Sequence, residues 1–131
     1  MKTTKIIIVS TIALLISLLI SCGPKTYTSY TITGTIEGVP DGTKMELVPG
    51  ATHKDEKPIA ESVIEDGKFV FTGAAEEPRL FYVRAAGSYG YIKLMVENGE
   101  ITIKATASGQ DRNGTTAYTY SNVEVKGSPV H

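Results

Sequence analysis

Few side chains in this sequence could do chemistry, and their spacing limits what that chemistry could be. The two histidines, His53 and His131, stand far apart, whereas a metal site needs three or four converging ligands. His53 shares a polar loop with Asp55 and Glu56, a cluster that reads better as a solvated loop. Ser62 would be a nucleophile only beside an oriented base. Its position in a β-prone run reads instead as a core-side hydroxyl bonded to backbone. The glycines form no phosphate-binding loop; they sit in turn dipeptides, Asp41-Gly42, Asp66-Gly67 and Asn98-Gly99. The tyrosines are the more interesting set. Tyr89 and Tyr91 flank a turn, and Tyr118 and Tyr120 alternate on the approach to the last strand. Alternating tyrosines can form a stacking platform, a ligand face for sugars or for a partner's apolar residues, although tyrosine is also simply favoured in strands. No catalytic, cofactor-binding or metal-binding set emerges, so the expectation is a non-enzymatic protein without a cofactor.

The only cysteine is Cys22. Lys2 and Lys5 precede an apolar run from Ile6 to Ile20, which is short for a membrane span of about 20 residues and has the layout of a secretory signal. Leu19-Ile20-Ser21-Cys22 matches the bacterial lipobox. The match implies cleavage between Ser21 and Cys22 and lipidation of the Cys22 sulfur, with residues 1–21 removed and 22–29 left as a lipidated tether. In such a chain the sequon-like Asn113-Gly114-Thr115 carries no weight. Cleavage would remove two of the 13 basic residues and none of the 14 acidic ones, leaving a formal charge of −3. That mildly acidic, unclustered surface argues against nucleic acid as a partner. A lipidated Cys22 leaves no thiol for a disulfide or for redox chemistry. Gly23 follows the cysteine where an aspartate would favour retention in the inner membrane, so the expected place is the cell envelope, anchored by lipid to the outer membrane.

What must position these residues is a β-domain over 30–127, followed by a tail at 128–131. Tyr30–Glu37 alternates, with Tyr30, Ile32 and Ile36 on one face; Gly34 on that face predicts a bulge or a close crossing. Lys44–Val48 follows Val39-Pro40-Asp41-Gly42, with Met45 and Leu47 inward. The best-specified stretch is 59–73, where Asp66-Gly67 predicts a type I′ hairpin turn. That turn sets Glu65 opposite Lys68, Ile64 opposite Phe69, Val63 opposite Val70 and Ser62 opposite Phe71. Arg79–Ala85 has apolar residues on both faces and is a candidate for the most buried strand. A second hairpin is expected around Asn98-Gly99, with Val96 opposite Ile101 and Leu94 opposite Ile103. It carries an unfavourable feature, Glu97 opposite Glu100 and Lys93 opposite Lys104. Residues 108–116 read as a flexible loop and 121–126 as the last strand.

In order, Tyr30–Ile36, Asp41-Gly42 with Leu47, Ser62–Gly73, Pro78 before a tyrosine-containing strand, Glu97–Ile103 and Val125-Lys126-Gly127-Ser128 form a pattern. It resembles a domain of unknown function found in Bacteroidetes lipoproteins, where it commonly precedes a thioredoxin-like, peroxiredoxin-type domain. The resemblance implies a lipid-anchored, β-sandwich-like accessory module. The sequence stops at His131, where a linker to that second domain would begin, and holds no Cys-x-x-Cys. The expectation is therefore a stand-alone or truncated module, or one whose thioredoxin-like partner is encoded separately.

The fold expected is all-β, about eight antiparallel strands in a sandwich or partly open barrel. The function expected is a binding role in the envelope. The partners in view are the membrane, through the lipid, and a protein or glycan; the alternative is docking for a redox or transport partner. The mature protein should neither reduce the disulfides of insulin nor respond to thiol reagents. An insulin-reduction assay in which turnover is lost on thiol blockade would contradict this.

Overall fold

The computed structural model describes residues 26–50 and 56–127. The leader, Ser21, Cys22, His53, Asp55 and the tail with His131 lie outside the described residues. Eight strands form two four-stranded sheets packed face to face: β1 Tyr30–Glu37, β2 Lys44–Pro49, β3 Ala60–Val63, β4 Lys68–Gly73, β5 Arg79–Ala85, β6 Ile92–Val96, β7 Gly99–Arg112 and β8 Thr115–Lys126. Sheet A has the order β4-β1-β7-β8 and sheet B the order β3-β2-β5-β6. The fold is thus an all-β sandwich that does not close into a barrel. All pairs are antiparallel except β1 with β7, which run parallel from Tyr30↔Gly99 to Glu37↔Thr106.

Alternation makes the core. Tyr30, Ile32 and Ile36 of β1, Met45 and Leu47 of β2, and Phe81, Val83 and Ala85 of β5 all point inward and are buried. Ile64, Phe69 and Phe71 join them, and Ile92, Leu94, Val96, Ile101 and Ile103 fill the rest. Strand β5 lies inside sheet B between β2 and β6. Its second face, Leu80, Tyr82 and Arg84, is half-buried rather than sealed.

Gly34, whose place on an apolar face predicts a bulge or a close crossing, lies in an unbroken β1–β4 register and is closely approached by a side chain. It stands opposite Phe69 across the β1–β4 ladder, and a Cβ there would run into the Phe69 ring. The ring lies over the glycine, a known way to make a strand glycine useful. Tyr30 lies the same way over Gly73, its own partner in that ladder.

The Asp66-Gly67 turn has positive φ at both residues, 51° and 73°, and Glu65 and Lys68 exchange two backbone hydrogen bonds of 3.0 Å. There the hairpin stops. Val63 pairs with Lys44 and Ser62 with Met45 in sheet B, while Val70 pairs with Thr33 and Phe71 with Ile32 in sheet A. The turn is a corner between sheets, so of the expected pairs only Glu65–Lys68 forms, and Ile64–Phe69, Val63–Val70 and Ser62–Phe71 do not. Asp41 secures the corner. Its carboxylate accepts from the Asp66 N–H at 3.1 Å and from the Gly67 N–H at 3.0 Å. Ser62 bonds to backbone as expected, its Oγ accepting from the Val70 N–H at 3.0 Å across the opening between β3 and β4.

The expected hairpin at Asn98-Gly99 is also a crossover. β6 belongs to sheet B and β7 to sheet A, which keeps Glu97 from facing Glu100 and Lys93 from facing Lys104. The Asn98 amide instead clamps a neighbouring loop, with Oδ1 accepting from the Ala75 N–H and Nδ2 donating to the Ala75 carbonyl, both at 2.9 Å. Residues 108–116, expected as a loop, form the end of a long β7–β8 hairpin. Asn113 and Gly114 supply its positive-φ turn, at 54° and 86°. The Asn-Gly dipeptide was there to be read, but the surrounding Ser-Gly-Gln-Asp-Arg carries no apolar alternation to mark a strand.

Gly34→Ala should destabilise the domain by about 1–3 kcal/mol through overpacking against Phe69. Thr33→Ala, on the outward face next to it, should change stability by no more than about 0.5 kcal/mol. Urea melts of the two variants check this, and equal midpoints would contradict the Phe69–Gly34 packing.

Candidate functional site

The four tyrosines singled out in the sequence do not form one face. Tyr118 and Tyr120 stand on the inner side of β8 and pack against the core, their rings 6.1 Å apart. Tyr118 lies across Gly109, its partner on β7. Tyr89 is held by its backbone along the outer edge of β8: its N–H donates to the Thr116 carbonyl and its carbonyl accepts from the Tyr118 N–H, both at 2.9 Å. The loop between β5 and β6 thereby ties sheet B to the edge of sheet A. Tyr91 goes elsewhere, stacking on Tyr82 of β5 with ring centroids 4.1 Å apart and planes 17° from parallel.

The Tyr82–Tyr91 stack is the centre of a different surface, the outer face of sheet B. Alternation places Leu80, Tyr82 and Arg84 of β5 on that face, with Glu46 and Val48 of β2 and Met95 of β6. The cross-strand pairs are Leu80 with Met95, Tyr82 with Val48 on one side and the exposed Lys93 on the other, and Arg84 with Glu46. Val48 is buried, whereas Leu80, Tyr82 and Met95 are half-buried and Tyr91 is 52% exposed. An apolar strip therefore remains open beside an ion pair, in which Arg84 Nε donates to Glu46 Oε2 at 3.0 Å. Arg84 Nη2 also donates to the Glu56 carbonyl at 3.3 Å, which brings the start of the segment before β3 to this face. With its side chain mostly covered, this bidirectional use of Arg84 fixes the charge rather than leaving it to solvent. The strip can take an apolar or aromatic surface, with the half-exposed Tyr91 ring at its edge.

Sequence reasoning missed Tyr82, Leu80, Met95, Glu46 and Arg84 as one surface. The signal is the two-sided apolarity of Arg79–Ala85, which by itself points to a deeply buried strand rather than to a half-open face. The outer face of sheet A is different in kind. It carries Thr33, Thr35, Thr102, Lys104, Glu124 and Lys126 around a shallow groove of about 170 Å³. Among the described residues no three His, Cys, Asp or Glu side chains gather as metal ligands, and no helix is long and apolar enough to cross a membrane.

Tyr120 has the most perturbed environment. Burial, then the neighbouring Tyr118, push its hydroxyl up to about 12 from an ordinary 10, with the Ala85 backbone opposing weakly. The hydroxyl is sealed from solvent without a partner of hydrogen-bonding geometry; a contact that weak does not satisfy it. Because the folded state holds this proton more tightly than the unfolded state, its contribution is present below pH 10 and lost as pH rises through 12. Stability should fall across that window. Tyr120→Phe should flatten the fall and cost little at pH 7, since it removes an unsatisfied hydroxyl. Thermal melts from pH 7 to 12 on both proteins measure this, and parallel curves would contradict it.

No curated protein matches the chain, and no solved structure does. A family model does match, over residues 30–131, the stretch that holds all eight strands. By that match the chain belongs to the family described as Domain of unknown function (DUF4369).

Proposed function

We propose that this protein is a lipid-anchored module of the cell envelope that binds a protein partner through the outer face of sheet B. The observation that carries the binding role is the half-exposed strip of Leu80, Tyr82, Met95 and Tyr91. Contiguous half-exposed apolar residues are characteristic of interaction sites, and stacked tyrosines with a fixed arginine are favoured anchors in them. The strip lies on a sheet face rather than in a concave cleft, which favours a protein surface over a sugar.

Support for the anchor comes from the sequence. Leu19-Ile20-Ser21-Cys22 follows an apolar leader, and each buried methylene of an attached lipid contributes about 0.8 kcal/mol. Two or three acyl chains on Cys22 would hold the domain at a membrane without help from its own surface. The eight residues Cys22–Ser29 reach at most roughly 28 Å at about 3.5 Å per residue. The domain would then ride close to the bilayer, at the outer membrane by the residue that follows Cys22.

Two measurements test this together. Fractionation of wild type should give a membrane protein that resists high salt and is released by detergent, and Cys22→Ser should lose acyl labelling while keeping the fold. Affinity purification from native membranes should yield a partner whose recovery falls when Tyr82 and Tyr91 are both changed to Ser. The same partner should be retained when Thr33 and Thr102 on the opposite sheet are changed to Lys. A soluble wild type refutes the anchor, and a partner indifferent to the tyrosines refutes the face.

A further inference from the structure

We infer that Asn113 is a site of spontaneous covalent modification, in which the side-chain amide is lost as ammonia and Asp111 acts as the base. The chain has three asparagines, Asn98, Asn113 and Asn122, and the structure sorts them. Attack on an asparagine side chain comes from the backbone nitrogen of the next residue, so a glycine there hinders least. Asn98 and Asn113 both precede glycine; Asn122 precedes Val123, whose β-branched side chain crowds the nitrogen.

The two Asn-Gly sites have opposite environments. The Asn98 amide is partly buried and is held at both ends by Ala75, while the Gly99 N–H donates to the Ser29 carbonyl at 3.0 Å. The electrophile is held at both ends, and the nucleophile's proton rests on a carbonyl, which is no base. Asn113 is exposed at the tip of the β7–β8 hairpin, and the space around Gly114 is open. The Gly114 N–H donates to Asp111 Oδ1 at 2.9 Å. A carboxylate therefore sits on the very proton that must leave before the nitrogen can attack. The hairpin tip can also open: β1 ends at Glu37, opposite Thr106, so β7 from Ser108 to Arg112 pairs only with β8, and the Tyr89 bonds that brace β8 stop at Thr116, short of the turn at 112–115. Such a segment exchanges between closed and open states without unfolding the core. The other two turns of this kind, Asp41-Gly42 and Asp66-Gly67, present a carboxylate instead of an amide, a far poorer electrophile.

The step balances without an oxidant or reductant. The Gly114 nitrogen gives its proton to Asp111 and bonds to Asn113 Cγ. The Cγ–Nδ2 bond breaks and the proton leaves with the departing ammonia, giving a five-membered succinimide. Water then opens the ring at either carbonyl, to aspartate or to isoaspartate. The second product carries an extra methylene in the backbone, so Arg112↔Thr115 and Asp111↔Thr116 can no longer both close. Either product adds a negative charge at the tip.

The test is incubation of the folded protein near neutral pH at 37 °C, followed by peptide mass spectrometry and isoaspartate-specific methyl labelling. Peptides containing Asn113 should become heavier by one dalton and acquire label roughly tenfold or more faster than those containing Asn98, reflecting local opening. In chain unfolded in urea the two sites should react at similar rates. Asp111→Asn keeps an acceptor for the Gly114 N–H but removes the base, and should slow Asn113 several-fold. Asn98 reacting as fast as Asn113 in the folded protein, or Asn113 staying intact, overturns the site. An Asp111→Asn variant that reacts as fast or faster overturns the role of Asp111.

Discussion

The fork made by the Asp41 carboxylate holds the corner on which the sandwich is built. Two backbone N–H groups, from Asp66 and Gly67, point into it from the turn between β3 and β4. Ile36 N–H donates to the Gly67 carbonyl at 2.8 Å and Gly42 N–H to the Ile64 carbonyl at 2.8 Å. The end of β1, the turn before β2 and the corner between the sheets are thereby one hydrogen-bonded unit. From this unit β3 goes on to pair with β2 and β4 with β1, one strand in each sheet. Hydrogen bonds to a carboxylate are stronger than neutral ones, which suits a corner that solvent can reach.

From that corner the core follows by strand alternation, and this part was legible in the sequence. The inward residues of β1, β2 and β4 sit where the period of two places them, and Gly34 on that face signalled a bulge or a close approach, of which the second is found. What could not be read was which sheet each strand would join. A type I′ dipeptide fixes two backbone conformations and the first residue pair, and no more. Asp66-Gly67 turns into a corner, Asn98-Gly99 into a crossover and Asn113-Gly114 into a true hairpin. The like-charge oppositions at Glu97–Glu100 and Lys93–Lys104 argued against a hairpin at the second of these, and the structure resolves that conflict by separating the strands. Partners far along the chain, the Ala75 backbone for the Asn98 amide and the Asp41 carboxylate for the Gly67 N–H, contribute to the outcome, and no local pattern reveals them.

The candidate site was legible only in part. Tyr91 was in view from the sequence, but its companions were not, because the stack depends on β5 lying beside β6. Tyr118 and Tyr120 have the same spacing as a surface platform and yet serve the interior. Their place is set by Gly109 and Ala107 opposite them, small residues that leave room for rings. Residue spacing along one strand thus identifies a shared face, whereas whether that face is wet depends on the neighbouring strand.

The parallel pairing of β1 with β7 bears on how the protein comes to be folded. Its partners lie more than half the chain apart, and no hairpin can bring them together. Contacts of such long separation slow folding, because the entropy of closing the loop is lost before the ladder rewards it. In a chain that emerges N-terminus first, β1 can meet β4 early but must leave its other edge open until β7 arrives. An exposed edge of alternating Thr and Ile is a template for the wrong partner, so the interval before β7 docks is when this domain is most exposed to misassembly.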